Sequence, residues 1–387
     1  MDRTTRIKII EQIEGHRKSK LLVYFTGDRH PFPARIAEDA VRQIYDHLLS
    51  FDGATRKRQR IDLFLYSRGG DVSVPWRIVS MIREFCDEFC VLVPFRAHSA
   101  ATMIALGADS IVMGRKAELS PIDPTLSRIA VGEATAPPTE ISVEDVSSYV
   151  SFMRDRAGIS DQAALATVVS LLANHLTPLT LGSVNRQYSH IRLLARKLLA
   201  SRKKKTEEDR LSTIIEAFTE KMYSHGHAIG RKEATELGLD VKTPGDDLED
   251  LMWVLYKEYE SMFALNSPLD AEELLASKNV DEYTEPRAPI AAVESVQRLT
   301  LFEVSYAFRR KRQVPPNLQL NLPISIALPP GFDPAKAPPA VQQFVQEVVQ
   351  RLSKELPQMI QLEIARQSPI TGIELRHFGG KWKDATS

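Results

Sequence analysis

Short apolar runs alternate with amphipathic segments through the first 114 residues of the chain. Four continuous apolar runs, each bounded by turn residues, predict buried strands at 20–27, 60–70, 90–95 and 110–114. Apolar residues at every third or fourth position predict helices over 1–19, 33–51, 73–89 and 99–108. This alternation is typical of an α/β fold with a mostly parallel sheet.

The pattern changes in the second half of the chain. Helices are predicted at about 142–157, 160–175, 181–203, 210–225 and 230–241. From about residue 285 the sequence becomes rich in proline, and it then carries a helix over 340–356 with an apolar face. That face predicts packing either against its own domain or against a second copy of the chain.

Composition excludes several classes of function. Of the 387 residues, 43% are apolar and 26% charged, which is ordinary for a soluble globular protein. Lys+Arg and Asp+Glu are both 50, so no overall charge favours nucleic acid or a membrane surface. The basic run at 196–205 is more typical of a solvated helix end than of a phosphate-binding patch.

Location is predicted from what the chain lacks. No run of about 20 apolar residues appears, so no membrane span is expected, and the charged N-terminus does not resemble a signal peptide. Cys86 and Cys90 stand four apart on a predicted helix, where a disulfide has poor geometry. We expect reduced core cysteines and a cytoplasmic protein.

Candidate chemistry appears where two predicted strands end. Gly69 and Gly70 follow one strand, and Ser99 opens the helix after the next. Because parallel strands end at the same edge of a sheet, both sites can face one crevice. Ser99 is there a nucleophile candidate, and the amides of Gly70 and Ala100 would suit an oxyanion. The alternative is that Ser99 is a plain helix N-cap.

Two segments carry a family resemblance. The run "IDLFLYSRGGDVSVPWRIVSMI" followed by "VLVPFRAHSAATMIALGADSIVMGRKAELSPIDP" resembles the ClpP-class serine peptidases of the ClpP/crotonase superfamily. The run "SPIDP" and the later "HAIGRKEATELGLDV" are most similar to the serine dehydrogenase proteinase and signal peptide peptidase A-like branch. The resemblance spans about residues 20–245 and implies a spiral of ββα units.

The resemblance also implies a division of the chain. We expect an N-terminal helix at 1–19 and a peptidase domain at 20–245, with a helical insertion at about 142–203. Residues 246–387 would form a helical and proline-rich extension, which is a candidate oligomerisation element.

Family members activate the serine with a histidine or a lysine, and neither stands in its usual place here. Asp123 lies where the histidine is expected, and no lysine occurs between Lys116 and Lys197. His225 and His175 are the main base candidates, and Asp123 could orient a histidine. His98 is less suitable, because neighbours at a helix start usually point apart.

The sequence therefore predicts a serine endopeptidase that acts on peptides or unfolded protein through a Ser99 acyl-enzyme. Gly70 and Ala100 would form the oxyanion hole, with no metal or cofactor. The resemblance implies a homo-oligomer, and an unfoldase or adaptor partner stays open. The alternatives are an inactive ClpP-like scaffold and a crotonase-type acyl-CoA enzyme, which would need a carboxylate in place of Ser99.

Overall fold

The computed structural model describes residues 2–51, 59–122, 125–128, 139–176, 178–219, 226–313 and 336–386. Its helices are α1 (Arg3–Arg17), α2 (Asp39–Phe51), α3 (Val74–Arg83), α4 (Ala100–Leu106), α5 (Val143–Ser151), α6 (Gln162–His175), α7 (Pro178–Ala200), α8 (Glu208–Thr219), α9 (Arg231–Glu236), α10 (Asp246–Met262), α11 (Ala271–Ser277) and α12 (Pro339–Gln367). A π-helical turn, Phe152–Arg156, follows α5.

Strands fall into one large sheet and two small ones. They are β1 (Lys20–Thr26), β2 (Gln59–Tyr66), β3 (Cys86–Val93), β4 (Arg96–Ala97), β5 (Ser110–Met113), β6 (Glu118–Leu119), β7 (Thr125–Arg128), β8 (Thr139–Ser142), β9 (Val241–Lys242), β10 (Glu282–Glu294), β11 (Leu299–Arg312) and β12 (Ile370–Asp384). The large sheet has the order β12-β11-β10-β1-β2-β3-β5-β9, while β4 pairs with β6 and β7 with β8.

Five strands of the large sheet run parallel to one another: β1, β2, β3, β5 and β9. Strand β10 pairs with β1 in the antiparallel direction. The middle strands are buried except near their N-terminal ends, with Leu22 opposite Leu63 and Leu63 opposite Val91. Strands covered on both faces read as continuous apolar runs, which explains why the sequence pattern identified them. The structure is therefore a mixed α/β fold with a large sheet and many helices.

Helices cover both faces of this sheet. On one face, apolar residues of α2, α3, α4, α7 and α8 form one hydrophobic cluster with the sheet. On the other face, α1 and α10 pack against it in a second cluster built around Phe25, Tyr66 and Tyr259. The aromatic rings of Phe25 and Tyr66 stack with centroids 4.4 Å apart. Helix α4, which follows Ser99, is buried along its whole length.

The chain divides into two compact units. The first comprises Met1–Leu269, Arg287–Val304 and Gly379–Ser387, and it contains the candidate site. The second comprises Asp270–Pro286 and Ser305–Phe378. Within the second unit, the carboxylate of Asp281 binds the guanidinium groups of Arg310 and Arg312 at 3.2 and 2.8 Å. The domain boundaries expected from the sequence remain a proposal.

The predicted helix over 73–89 is wrong at its C-terminal end. Helix α3 stops at Arg83, and strand β3 begins at Cys86, so both cysteines lie on a strand rather than on a helix. Their thiols are free and buried. The apolar spacing of this segment fits a helix locally, but pairing with β2 gives its backbone a complete set of hydrogen bonds in the sheet.

The end of the chain contributes more sheet than its composition suggests. Strands β10, β11 and β12 extend the sheet beyond β1, and the sequence pattern did not predict them. Among the helices that the structure describes, none combines the length and the apolar character that a membrane crossing requires.

Candidate active site

Ser99 lies at a sharp turn between strand β4 and helix α4. Its backbone has φ 51° and ψ −113°, a positive-φ conformation outside the helical regions that residues with a side chain rarely adopt. Its side chain makes no capping hydrogen bond to the helix, so the N-cap interpretation does not explain this serine. A serine held in a strained turn between a strand and a helix has the geometry of a nucleophile elbow.

Buried hydroxyl groups hold this turn from the neighbouring strand. The Ser99 amide donates to Ser120 Oγ at 2.8 Å, and Ser120 Oγ donates to the carbonyl of Pro121 at 2.9 Å. The Ser120 amide in turn donates to Thr102 Oγ1 at 3.1 Å. Ser120 and Thr102 are 2% and 0% exposed, so these hydrogen bonds are shielded from water. Ser120 belongs to the "SPIDP" run, and nothing in the local sequence marks it for this role.

The glycine pair lies directly against Ser99. A Cβ atom placed on Gly69 would lie 2.8 Å from Ser99 Cβ and 3.3 Å from Ser99 Oγ, so only glycine fits there. Gly69 also has φ +108°, which favours glycine. Backbone hydrogen bonds connect the two segments, since the amide of His98 donates to the carbonyl of Ser67 at 2.9 Å. The structure thus brings together the two strand ends that the sequence singled out.

Two backbone amides near Ser99 donate no hydrogen bond within the described part of the chain. The Gly69 amide is taken by Ser67 Oγ at 3.0 Å, and the Ser99 amide is taken by Ser120. The amides of Gly70 and Ala100 have no acceptor among the residues that the structure describes. These are the two amides that the sequence proposed for an oxyanion hole, and free N–H groups beside a nucleophile can stabilise a developing oxyanion.

The structure does not describe the side chains of the predicted bases or of Asp123. His225 and Asp123 lie outside the described residues. His175 is the last residue of α6, and its side chain is likewise outside the described part of the chain. Within that part, Ser99 Oγ has no hydrogen-bond partner. The identity of the base stays a prediction.

His98 lies beside Ser99 in a group of charged side chains. Its Nε2 is 3.1 Å from Glu118 Oε1, a separation typical of an ion pair, yet this nitrogen makes no hydrogen bond within the described residues. Burial lowers the pKa of His98 to about 4; Glu118 opposes this shift, while Arg68 and Arg96 reinforce it. His98 is therefore neutral at neutral pH and forms no full ion pair there.

Metal ligation finds no support in the described residues, where no group of three His, Cys, Asp or Glu side chains converges. Sequence reasoning also missed Asp28, Arg96 and Glu118, which contact one another and the side chains of Arg68 and His98 beside this site. They come from three separate segments, and nothing in their local sequence marks them.

Comparison with known proteins gives a family for this region. Residues 3–178 match the family of ClpP-like SDH-type serine proteinases. The matched segment contains Gly69, Gly70 and Ser99, and the resemblance predicted from the sequence is confirmed. The family indicates a serine peptidase, and the mixed α/β fold is consistent with a ClpP-like fold.

Individual proteins that are similar to this chain share low sequence identity with it. An uncharacterized protein of Methanocaldococcus jannaschii is 26% identical over 255 residues, which cover 65% of this chain and 79% of that protein. A second uncharacterized protein of the same organism is 21% identical over 183 residues, which cover 47% of this chain and 52% of that protein.

One solved structure was also matched. It is a serine-to-alanine mutant of the 1510-N membrane-bound stomatin-specific protease, 18% identical, with a TM-score of 0.34, covering 55% of this chain and 76% of that one. At that TM-score the likeness carries no argument about this chain.

Proposed function

We propose that this chain is a ClpP-class serine endopeptidase that hydrolyses peptides or unfolded protein through a Ser99 acyl-enzyme. One observation carries the proposal: Ser99 occupies a strained elbow packed against Gly69, and the amides of Gly70 and Ala100 have no acceptor among the described residues. The family match over the same segment supports it. The proposal includes the ClpP/crotonase spiral of ββα units, a homo-oligomer and a cytoplasmic location.

The reaction begins with attack of Ser99 Oγ on the scissile carbonyl while a base removes the hydroxyl proton. The carbonyl oxygen becomes an oxyanion, which the Gly70 and Ala100 amides stabilise. Collapse of this intermediate releases the amine and leaves an ester on Ser99, and water then hydrolyses the ester. His225 or His175 is the proposed base, with Asp123 as its orienting carboxylate.

Backbone strain at Ser99 suits this chemistry. A residue at φ 51° costs on the order of 1–3 kcal/mol, and such strain persists where the surrounding structure enforces it. The hydrogen bond from the Ser99 amide to Ser120 keeps the elbow in place and leaves the following amide free. A crotonase-type enzyme would use the same two amides for a thioester oxygen, but it has no need of a serine at this turn.

A fluorophosphonate probe tests the nucleophile. We expect covalent labelling of the wild type and of Ser110→Ala, and none of Ser99→Ala. Ser110 is a matched control because it is 8% exposed where Ser99 is 7% exposed, and it lies on strand β5 away from the elbow. Labelling that persists in Ser99→Ala would exclude Ser99 as the nucleophile. A folded wild-type protein that never reacts would favour the scaffold alternative.

The base is tested in the same assay. Substitution of the true base, by His225→Gln or His175→Gln, should slow labelling by about 10²–10⁴-fold, the usual contribution of general base catalysis. The other histidine variant serves as the control. If both variants are labelled at the wild-type rate, neither histidine is the base.

A further inference from the structure

A chain of side-chain contacts, with four charged groups and a neutral histidine at one end, connects the two halves of the candidate site. Arg68 Nε lies 2.6 Å from Asp28 Oδ2, and Arg96 Nη1 lies 3.3 Å from the same oxygen. Arg96 Nε lies 3.2 Å from Glu118 Oε1, and His98 Nε2 lies 3.1 Å from that atom. We call these five residues the charge ladder.

Each end of the ladder directly precedes a residue of the candidate site in the sequence. Arg68 precedes the Gly69–Gly70 pair, and His98 precedes Ser99. Between them, Asp28 comes from the segment after β1, Arg96 from β4 and Glu118 from β6. The ladder therefore joins the oxyanion segment to the nucleophile segment, which includes Arg96, through carboxylates of two other segments.

The interior of the ladder is well shielded and well bonded. The Asp28 side chain is 9% exposed, and its second oxygen accepts a hydrogen bond from Tyr66 Oη at 2.8 Å. Arg96 is 25% exposed and contacts both carboxylates, while its guanidinium lies 3.9 Å from the centre of the Phe95 ring. Removing one carboxylate would leave the partly buried Arg96 with a single counter-charge on one side, so its guanidinium would no longer be held from both sides.

We propose that Asp28, Arg96 and Glu118 are positioning residues that fix the Gly69–Gly70 segment relative to the Ser99 elbow. None of them needs to contact the substrate. They act through Arg68 and His98, whose backbones continue into the glycines and the serine. The kinetic consequence rests on the proposed peptidase function, whereas the structural consequence does not depend on it.

Hydrogen exchange measures the structural consequence directly. The amides of Ser67 and His98 donate across the junction of the two segments, to the carbonyls of Arg96 and Ser67 at 3.0 and 2.9 Å. In Asp28→Asn and Glu118→Gln we expect exchange of both amides to rise at least tenfold. The control Asp246→Asn removes an exposed ion pair with Arg115 elsewhere in the same unit, and it should leave both rates unchanged. Unchanged rates in both ladder variants would overturn the proposal.

The histidine at the end of the ladder supplies a second readout. Because the Glu118 carboxylate opposes the low pKa of His98, Glu118→Gln should lower that pKa further. Because Arg96 reinforces it, Arg96→Gln should raise it. An NMR titration of the His98 ring, identified with His98→Gln, measures both shifts. If neither substitution changes the pKa of His98, Glu118 and Arg96 do not interact electrostatically with His98, and this part of the proposal is wrong.

Fluorophosphonate labelling measures the kinetic consequence. We expect the labelling rate of folded Asp28→Asn and Glu118→Gln to fall at least tenfold, because an ångström-scale misplacement of reacting groups can cost about 10²-fold in rate. Glu118→Asp, which keeps the carboxylate, should recover part of the rate. If Asp28→Asn does not fold, Arg68→Gln replaces it, since Arg68 is the exposed end of the ladder. If the wild type does not react with the probe, the peptidase proposal is wrong. The positioning proposal is then still decided by amide exchange, which does not depend on activity.

Discussion

A methyl group added to Gly70 should destabilise the first unit severely. Its Cβ would lie 2.2 Å from the carbonyl oxygen of Ile36 and 2.5 Å from the Ile36 nitrogen, and neither is a flexible side-chain atom. Gly70 also has φ +154°, which disfavours a residue with a side chain. The chain around Ile36 must therefore move away from the glycine pair.

The cost follows from the bonds that this movement breaks. The Ile36 amide donates to the Gly69 carbonyl at 2.8 Å, and the Asp71 amide donates to the Ile36 carbonyl at 2.9 Å. Ile36 is 1% exposed, so water cannot replace these bonds without further opening. At about 1 kcal/mol for each hydrogen bond and about 1–3 kcal/mol of backbone strain, Gly70→Ala should lower the free energy of unfolding by about 3–5 kcal/mol.

Urea denaturation measures this loss, and a second glycine gives the matched control. Gly182 lies in helix α7, and a Cβ there would meet nothing within 4 Å. Gly182→Ala should raise the free energy of unfolding by about 0.5–1 kcal/mol, because glycine is unfavourable within a helix. If Gly70→Ala unfolds within about 0.5 kcal/mol of the wild type, a value inside the usual range for surface substitutions, the close approach to Ile36 is wrong.

Two further predictions concern strain and acid sensitivity. Ser99→Gly should be more stable than Ser99→Ala by about 1–3 kcal/mol in urea denaturation, because glycine adopts φ 51° with ψ −113° without the strain that a side chain brings there; equal stabilities would mean that the elbow is unstrained. His47 is buried between the hydroxyl groups of Ser295 and Thr300, at 3.1 and 2.7 Å, and burial lowers its pKa to about 3. The neutral ring therefore adds stability that is complete above pH 6.5, the ordinary histidine value, and is lost as the pH falls toward 3. At pH 5 the loss should be about 2 kcal/mol, and it should be absent in His47→Gln; the same pH dependence in both proteins would contradict the reasoning.

Local pattern predicted most of the central architecture. The strands and helices between β1 and β5 were expected close to their observed positions, because residues buried on both faces of a sheet are apolar without interruption. The error at Cys86–Phe89 shows where this reasoning ends. That segment has apolar residues at helical spacing, and only the partner strand β2 makes it extended.

Long-range pairing was beyond the reach of local pattern. Strand β10 pairs with β1 through Glu294 opposite Val23, and Glu294 also binds Arg6 of α1 at 2.7 Å. These partners are separated by more than half of the chain, and no periodicity within either segment identifies the other. The same holds for the charge ladder, whose members come from the segment after β1, the glycine turn, β4 and β6.

The sequence by itself determined the order of the central elements and the spacing that makes Gly69, Gly70 and Ser99 candidates, since both depend on residues close together in the chain. Only the tertiary structure decided that Ser99 is strained rather than capping, because its φ depends on the hydrogen bond to Ser120 and on contact with Gly69. It also decided which amides are bonded, because Ser67 accepts from Gly69 and Ser120 accepts from Ser99, while Gly70 and Ala100 have no acceptor among the residues that the structure describes. Local sequence sets what a segment can form, and distant partners set the conformation that it adopts.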